Sequence, residues 1–77
     1  MITMEDRIKR IIANQLGMSA DDIDLDGDIM EVYGADSLDV VDMVMAMEEE
    51  FGMSVPDEEA IELRTVRKII GYIEDNK

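Results

Sequence analysis

The amino-acid sequence predicts a small all-α domain: a bundle of three principal helices and one short helix, with a long loop between the first and second helices. Three observations favour this fold. Apolar residues recur with helical spacing in three segments, residues that cap helix N-termini precede those segments, and glycine follows two of them. No segment shows the alternating pattern of a β-strand, and the sequence has no repeat or low-complexity stretch that would favour another class of structure. The 77 residues are enough for one small core.

The first predicted helix begins after Thr3 and ends at Gly17. Thr3 and Asp6 have the spacing of a capping box, in which each side chain accepts a hydrogen bond from the other residue's backbone N–H. Apolar residues at helical spacing form a single stripe: Met4, Ile8, Ile11, Ile12 and Leu16. Residues 18–33 are predicted to be a long loop with one short turn capped by Ser19.

The second predicted helix runs from Ser37 to Phe51 and stops at Gly52. Asp36 is a favoured N-cap residue, and Asp39, three positions later, completes a second capping box. Ser37 then lies at the first helical position with its hydroxyl in solvent. This serine is not expected to be a catalytic nucleophile, because a nucleophilic serine needs a neighbouring base and the chain contains no histidine. We therefore expect a protein that is not an enzyme.

Apolar residues on the second helix form two stripes, of which only one can face so small a core. The stripe predicted to face inward comprises Val40, Val44, Met47 and Phe51. The stripe predicted to face solvent comprises Leu38, Val41 and Met45. Acidic residues surround this second stripe: Asp39, Asp42, Glu48 and Glu49. An exposed apolar strip with an acidic rim is typical of a docking surface for a partner protein, and the alternative is a core that buries both stripes.

Two further helices are predicted in the last third of the chain. Pro56 is well placed to start a short helix through Glu62, since proline is favoured in the first turn. Thr65 is a favoured N-cap for the final helix. That helix has a regular apolar stripe of Val66, Ile69, Ile70 and Ile73.

Negative charge is concentrated in the middle of the chain. The formal net charge is -13, and residues 11–63 contain sixteen of the twenty acidic residues and no Lys or Arg. Such a surface repels nucleic acid and anionic membranes and attracts basic partners, so we expect neither nucleic-acid binding nor stable membrane insertion. Residues 1–6 lack the basic and apolar regions of a signal peptide, so the expected location is the cytoplasm. An acidic adaptor without a prosthetic group is an alternative.

Residues 22–29 are similar to the first part of an EF-hand calcium loop. Asp22, Asp24, Asp26 and Gly27 have the required spacing. Tyr33, however, stands where the motif requires its bidentate glutamate, and a phenol cannot replace that ligand. We therefore expect no dedicated metal site. An acidic calcium-binding protein is the alternative from another class.

Residues 34–38 read Gly-Ala-Asp-Ser-Leu, and this segment resembles the prosthetic-group attachment site of acyl carrier proteins. Residues 48–51 and 55–60 are also similar to that family, and the resemblance spans essentially the whole chain. It implies that residues 1–77 form one acyl carrier domain, with 4'-phosphopantetheine attached covalently to Ser37. It further implies that acyl intermediates are carried as thioesters on this group.

The same resemblance implies partners and further site residues. The partners would be a phosphopantetheinyl transferase and acyl-chain-processing enzymes with basic docking surfaces, and the carrier would be a monomer. The docking residues would be Asp36, Leu38, Asp39, Val41, Asp42, Met45, Glu48 and Glu49. The apolar residues that would line an acyl-chain pocket are Ile29, Met47, Val55, Ala60 and Leu63. The pathway stays open between fatty-acid synthesis and a dedicated polyketide, specialised lipid or amino-acid pathway.

Overall fold

The computed structural model describes residues 2–76, and this part of the chain contains five α-helices, one 3₁₀ turn and no strand. In chain order the elements are α1 (Met4–Leu16), the 3₁₀ turn (Ala20–Asp22), α2 (Ile29–Tyr33), α3 (Ser37–Phe51), α4 (Asp57–Ala60) and α5 (Val66–Asp75). The predicted all-α class is confirmed, and α1, α3 and α5 are the three principal helices. None of the helices in the described range is both long and apolar enough to span a bilayer.

The ends of α1 and α3 and the start of α5 lie where the sequence predicts them. Thr3 and Asp6 form the capping box of α1, and Thr65 caps α5. Gly17 ends α1 with φ 68°, and Gly52 ends α3 with φ 64°. Both angles lie in the left-handed region, which glycine adopts without the steric cost of a side chain. These boundaries are therefore set by local chemistry.

The connection between α1 and α3 contains a helix that is not predicted from the sequence. α2 follows Asp28, whose carboxylate accepts hydrogen bonds from the N–H groups of Met30 (2.9 Å) and Glu31 (3.1 Å). It ends at Gly34, which has φ 73°. The helix is too short to show an apolar period, so only its two caps could have revealed it. The bundle therefore has two short α-helices instead of one.

α4 is shorter than predicted. Pro56 is its N-cap and not a residue of its first turn, and the helix ends at Ala60 instead of Glu62. Beyond Ala60 the backbone forms a tighter turn with hydrogen bonds between residues three apart: the Leu63 N–H donates to the Ala60 carbonyl (3.1 Å). This tighter spacing lets both Ala60 and Leu63 point into the core, where both are buried.

The core lies between α1, α3 and α5. Its largest fully buried side chains are Ile8, Ile12, Ile29, Met43, Ile69, Val40 and Val66. The prediction that Val40, Val44 and Met47 face inward is confirmed, and Met43 joins them. Phe51, which was also predicted to face inward, packs against this core but is only half-buried, and the Arg7 guanidinium lies 4.6 Å from the centre of its ring.

Residues 25–29 are joined to the start of α5. Two backbone hydrogen bonds span the junction, from the Ile29 N–H to the Arg64 carbonyl (2.7 Å) and from the Arg67 N–H to the Leu25 carbonyl (3.1 Å). Two ion pairs lie beside them: Arg64 with Asp28 (2.8 Å) and Arg67 with Asp26 (2.6 Å). The chain just before α2 is thus held against the last helix of the bundle.

Candidate functional site

Ser37 lies at the corner between α2 and α3. After Gly34 ends α2, Ala35 is buried and donates its N–H to the Ile29 carbonyl (3.3 Å). Asp36 then serves as the N-cap of α3. Because Ala35 anchors this short connection, Ser37 is presented at the first residue of α3, and its side chain is exposed.

Asp36 and Asp39 together cap α3, as the sequence predicts. Asp36 accepts a hydrogen bond from the Asp39 N–H (2.9 Å), and Asp39 accepts one from the Asp36 N–H (3.2 Å). Serine often fills the capping role at a helix start, but here the aspartates fill it. The Ser37 hydroxyl therefore stays outside the cap and is open to a second protein.

The backbone at Ser37 suits a phosphodiester attached to its hydroxyl. The first hydrogen bond of α3 runs from the Val40 N–H to the Asp36 carbonyl (3.1 Å), so the N–H groups of Ser37 and Leu38 precede it. Such N–H groups and the helix dipole favour an anion at this end. The carboxylates of Asp36 and Asp39 oppose it, so we expect the phosphate to stay solvated. The site fits covalent attachment to an exposed hydroxyl better than capture in a closed pocket.

The predicted outward stripe of α3 is exposed at its ends and half-buried in the middle. Leu38 is 72% exposed and Met45 is 57% exposed. Val41 is only half-buried, because at about 100° per residue it lies closer to the buried Val40 and Val44 than the other two do. The prediction of an outward face is thus correct for Leu38 and Met45 and only partly correct for Val41. We call Leu38, Val41 and Met45 the outer stripe.

The acids near the outer stripe have different local roles. Asp39 and Glu48 are half-buried, and both make structural hydrogen bonds. Glu48 accepts the Val55 N–H (2.8 Å), which ties α3 to the segment that leads into α4. Asp42 and Glu49 are exposed and take no part in these bonds. Asp42 and Glu49 are therefore the acids most available to a partner.

Two of the aspartates in the EF-hand-like loop contact arginines. Asp26 binds Arg67 and Asp28 binds Arg64. Within residues 2–76, no group of three or more potential ligands is arranged to hold a metal ion. Asp26, one of the carboxylates that a calcium loop would direct at a cation, is instead used to join the loop to the start of α5.

These contacts shift the pKa of both aspartates downward. The hydrogen bond from Arg67 lowers the pKa of Asp26 and outweighs the opposing effect of desolvation. Partial desolvation raises the pKa of Asp28, but hydrogen bonds from the Glu31 N–H, the Arg64 guanidinium and the Met30 N–H together lower it below its ordinary value. Both carboxylates are therefore favoured in their charged form.

Four of the five residues predicted to line an acyl pocket are buried between the helices. Their exposed fractions are 1% for Ile29, 3% for Met47, 2% for Ala60 and 8% for Leu63. Val55 is only half-buried. These side chains pack as ordinary core, so entry of an acyl chain between them requires part of the wall to move.

α2 adds an exposed apolar residue that the helical spacing of the sequence does not predict. Val32 is 59% exposed, and its neighbour Glu31 is also exposed. Both lie on the helix that immediately precedes the Ser37 corner. The spacing of Asp28, Glu31 and Gly34 is the signal that could have placed this helix, since an N-cap, an acid three residues later and a glycine are typical of a short helix.

Comparisons with known proteins identify the family. A family model described as "Phosphopantetheine attachment site" matches residues 6–73. Among solved structures, the acyl carrier protein from Enterococcus faecalis is similar, with a TM-score of 0.80 and 32% sequence identity over 95% of this chain and 92% of that chain.

The helical fold and the attachment-site match define a carrier protein. The chain belongs to the acyl carrier protein family, as the resemblance of residues 34–38 indicates. Its cofactor is phosphopantetheine, which is bound covalently.

Proposed function

We propose that Ser37 bears 4'-phosphopantetheine and that residues 1–77, as one acyl carrier domain, deliver acyl groups to enzymes of fatty-acid or related acyl-chain biosynthesis. The observation that supports this most directly is the position of Ser37. It is exposed at the first residue of α3, outside the cap formed by Asp36 and Asp39, and inside the segment that matches the family model. When bound, the prosthetic group supplies a thiol for thioester formation, which the cysteine-free chain itself lacks.

Incubation of the unmodified chain with a phosphopantetheinyl transferase and coenzyme A tests this proposal. Intact-mass and fragment-mass spectra should show one added phosphopantetheine, on Ser37. A Ser37→Ala chain should fold and remain unmodified. Ser19→Ala and Ser54→Ala are matched controls, since these are the other two serines, and both should be modified like the wild type. Modification of the Ser37→Ala chain would overturn the assignment.

The outer stripe and its acids form the docking surface in this proposal. It comprises Asp36, Leu38, Asp39, Val41, Asp42, Met45, Glu48 and Glu49. Exposed Leu38 and Met45 offer apolar contact, while exposed Asp42 and Glu49 attract basic groups on the transferase and on acyl-processing enzymes. The same charge, -13 in total, repels nucleic acid and a second copy of the chain. We therefore propose a monomer. We also propose, separately from the charge, that it acts in the cytoplasm.

The acyl chain, in this proposal, enters the bundle between Ile29, Met47, Val55, Ala60 and Leu63. Methionine is unbranched and adapts its shape, so Met47 can yield to a narrow apolar ligand. Burial contributes about 0.8 kcal/mol per methylene, which lets a long chain offset the cost of rearranging the core while a short chain cannot. If the length of the acyl chain has no effect on the stability of the acylated protein, the protein is better explained as a carrier for a polyketide, specialised lipid or amino-acid pathway.

A further inference from the structure

Asp26 and Gly27 form the only Asp-Gly pair in the chain, and they lie in the turn that precedes α2. The Gly27 N–H closes this turn with a long hydrogen bond to the Asp24 carbonyl (3.3 Å). The Asp26 side chain is 70% exposed. A water-exposed aspartate carboxyl can react with the backbone nitrogen that follows it, and glycine favours this reaction because it places no side chain beside that nitrogen.

The packing of the loop favours glycine at position 27. The Tyr33 ring occupies the space in which a side chain at this position would lie. A larger residue must therefore displace the ring, and with it the hydrogen bond that the Tyr33 hydroxyl accepts from the Asp24 N–H. The fold thus retains the reactive pair.

Arg67 holds the Asp26 carboxylate. Its guanidinium donates from Nε to Oδ1 (2.6 Å) and from a terminal nitrogen to Oδ2 (3.2 Å), so both oxygens are engaged. The hydrogen bond from Arg67 also lowers the pKa of Asp26, which keeps the carboxyl charged. A charged carboxylate is a poor target for a backbone nitrogen, because its oxygen can leave only after protonation. Arg67 therefore opposes the reaction by fixing the carboxylate and by keeping it ionised.

We propose that Asp26 is a site of spontaneous isoaspartate formation and that Arg67 is the residue that restrains it. The Gly27 nitrogen bonds to the side-chain carboxyl carbon of Asp26, and the carboxyl hydroxyl leaves with the amide proton as water. Water then adds to the resulting cyclic imide. When the bond to the main-chain carbonyl of Asp26 breaks, the chain continues through the side-chain carbonyl, which is isoaspartate. The water lost is regained, so the mass is unchanged.

Isoaspartate at this position weakens the junction between the loop and α5. The main chain gains a methylene beside Leu25, whose carbonyl accepts the Arg67 N–H (3.1 Å). The carboxylate moves to a different carbon and can no longer meet the Arg67 guanidinium in the same geometry. Asp28, the N-cap of α2, lies only two residues further on. The modified chain should therefore melt at a lower temperature than the original one.

Ageing of the chain without its prosthetic group, at neutral pH and physiological temperature, tests the site independently of the function of Ser37. A protein isoaspartyl methyltransferase with labelled S-adenosylmethionine counts isoaspartate, and peptide mapping with electron-transfer fragmentation locates it. Isoaspartate should accumulate faster at Asp26 than at Asp36, which also precedes a small residue but caps α3. Asp26→Glu should abolish the signal while it keeps the charge, because glutamate would have to close a larger ring.

Arg67→Ala tests the restraint. It should raise the rate of isoaspartate formation at Asp26 about twofold to fivefold, as expected for the loss of an exposed ion pair. Arg64→Ala is the matched control, because it removes the neighbouring ion pair of the same junction, with Asp28, and leaves the contacts between Arg67 and Asp26 in place. Its rate should stay close to that of the wild type. Equal acceleration by both variants would assign the restraint to the junction as a whole and overturn the role of Arg67.

Two results would overturn the site itself. One is the absence of isoaspartate at Asp26 even in Arg67→Ala, and the other is faster accumulation at Asp36. The consequence for the fold has its own measurement: the isoaspartate fraction of the aged wild type is separated by reversed-phase chromatography, refolded and melted. Equal melting temperatures of this fraction and the original chain would contradict a weakened junction.

Discussion

Tyr33 closes over Gly27. A Cβ atom added at Gly27 would lie 2.7 Å from the phenol oxygen of Tyr33 and 3.3 Å from two of its ring carbons. The same oxygen accepts the Asp24 N–H (2.6 Å). The absence of a side chain at Gly27 thus allows the last residue of α2 to hold the loop that precedes that helix.

Gly27→Ala should therefore lower the free energy of unfolding by about 1 kcal/mol, since the ring of Tyr33 must shift and its bond to Asp24 weakens. The loss of unfolding free energy caused by Gly27→Ala should be smaller in a Tyr33→Phe background, because the hydroxyl oxygen that lies closest to the added Cβ atom is then absent. Urea denaturation of the four chains measures this coupling. Gly71→Ala is the control: a Cβ there meets nothing within 4 Å, so it should stabilise α5 by about 0.5–1 kcal/mol. Equal effects of Gly27→Ala in both backgrounds would contradict the proposed contact.

Charge reversal at Asp42 or Glu49 should slow phosphopantetheine transfer to Ser37 by about threefold to tenfold, because both acids are exposed beside the outer stripe. The melting temperature should change little, since neither acid makes the structural bonds of Asp39 or Glu48. Steady-state kinetics of the transferase measure the effect, and added salt should weaken the wild type in the same direction. The same reversal at exposed Asp21, in the 3₁₀ turn, is the control. A loss as large at Asp21 would mean that only net charge matters.

The ion pairs of the loop predict a dependence of stability on pH. Because the pKa of Asp28 is lowered in the folded chain, the unfolded chain binds its proton first, and the stabilisation is present above the unfolded pKa and lost as pH falls through the folded pKa. The difference in unfolding free energy between the wild type and Asp28→Asn should thus be largest above pH about 4 and shrink at lower pH.

Denaturant titrations at several pH values measure that difference. Asp22→Asn is the control for net charge. It also removes one negative charge from this loop, but Asp22 belongs to neither of the two ion pairs with arginine. If the difference in unfolding free energy between the wild type and Asp28→Asn stays constant down to pH about 2, the Asp28 carboxylate is not stabilised by Arg64 in the folded chain.

The melting temperature should rise with the length of the attached acyl chain, from acetyl to octanoyl, if the cargo enters the core. Ala60→Leu should fill the proposed channel and flatten this dependence, at a cost of about 1–3 kcal/mol from overpacking. Calorimetry of each acylated form, together with the chemical shifts of core methyl groups, measures both effects. Indifference of the wild type to chain length would argue for a polyketide or amino-acid carrier.

The features that sequence predicts correctly are those decided by neighbouring residues. The capping box of Asp36 and Asp39 and the position of Ser37 depend on residues only a few positions apart. The inward position of Val40 follows from helical spacing alone, and so does the exposure of Leu38. The start of α3, and with it the proposed attachment site, is therefore predictable without the rest of the fold.

The features that were missed depend on distant contacts or on very short elements. The carboxylate of Glu48 is predicted to face a partner, but it also binds the Val55 N–H, a contact made only when the segment after α3 folds back. The hydrogen bond of Tyr72 to Glu59 likewise follows from how α5 packs near α4. Nothing in the spacing of these residues reveals such pairs.

The junction between residues 25–29 and α5 has a consequence for the order of folding. Its partners are far apart along the chain: Arg64 and Asp28 are separated by 36 positions, and Arg67 and Asp26 by 41. Closing so long a loop costs entropy that nearby contacts do not, so we expect the locally capped helices to form before this junction closes. Breaking it should then speed unfolding and leave the folding rate nearly unchanged. We therefore expect the junction to contribute to the lifetime of the native chain more than to the rate at which the chain folds.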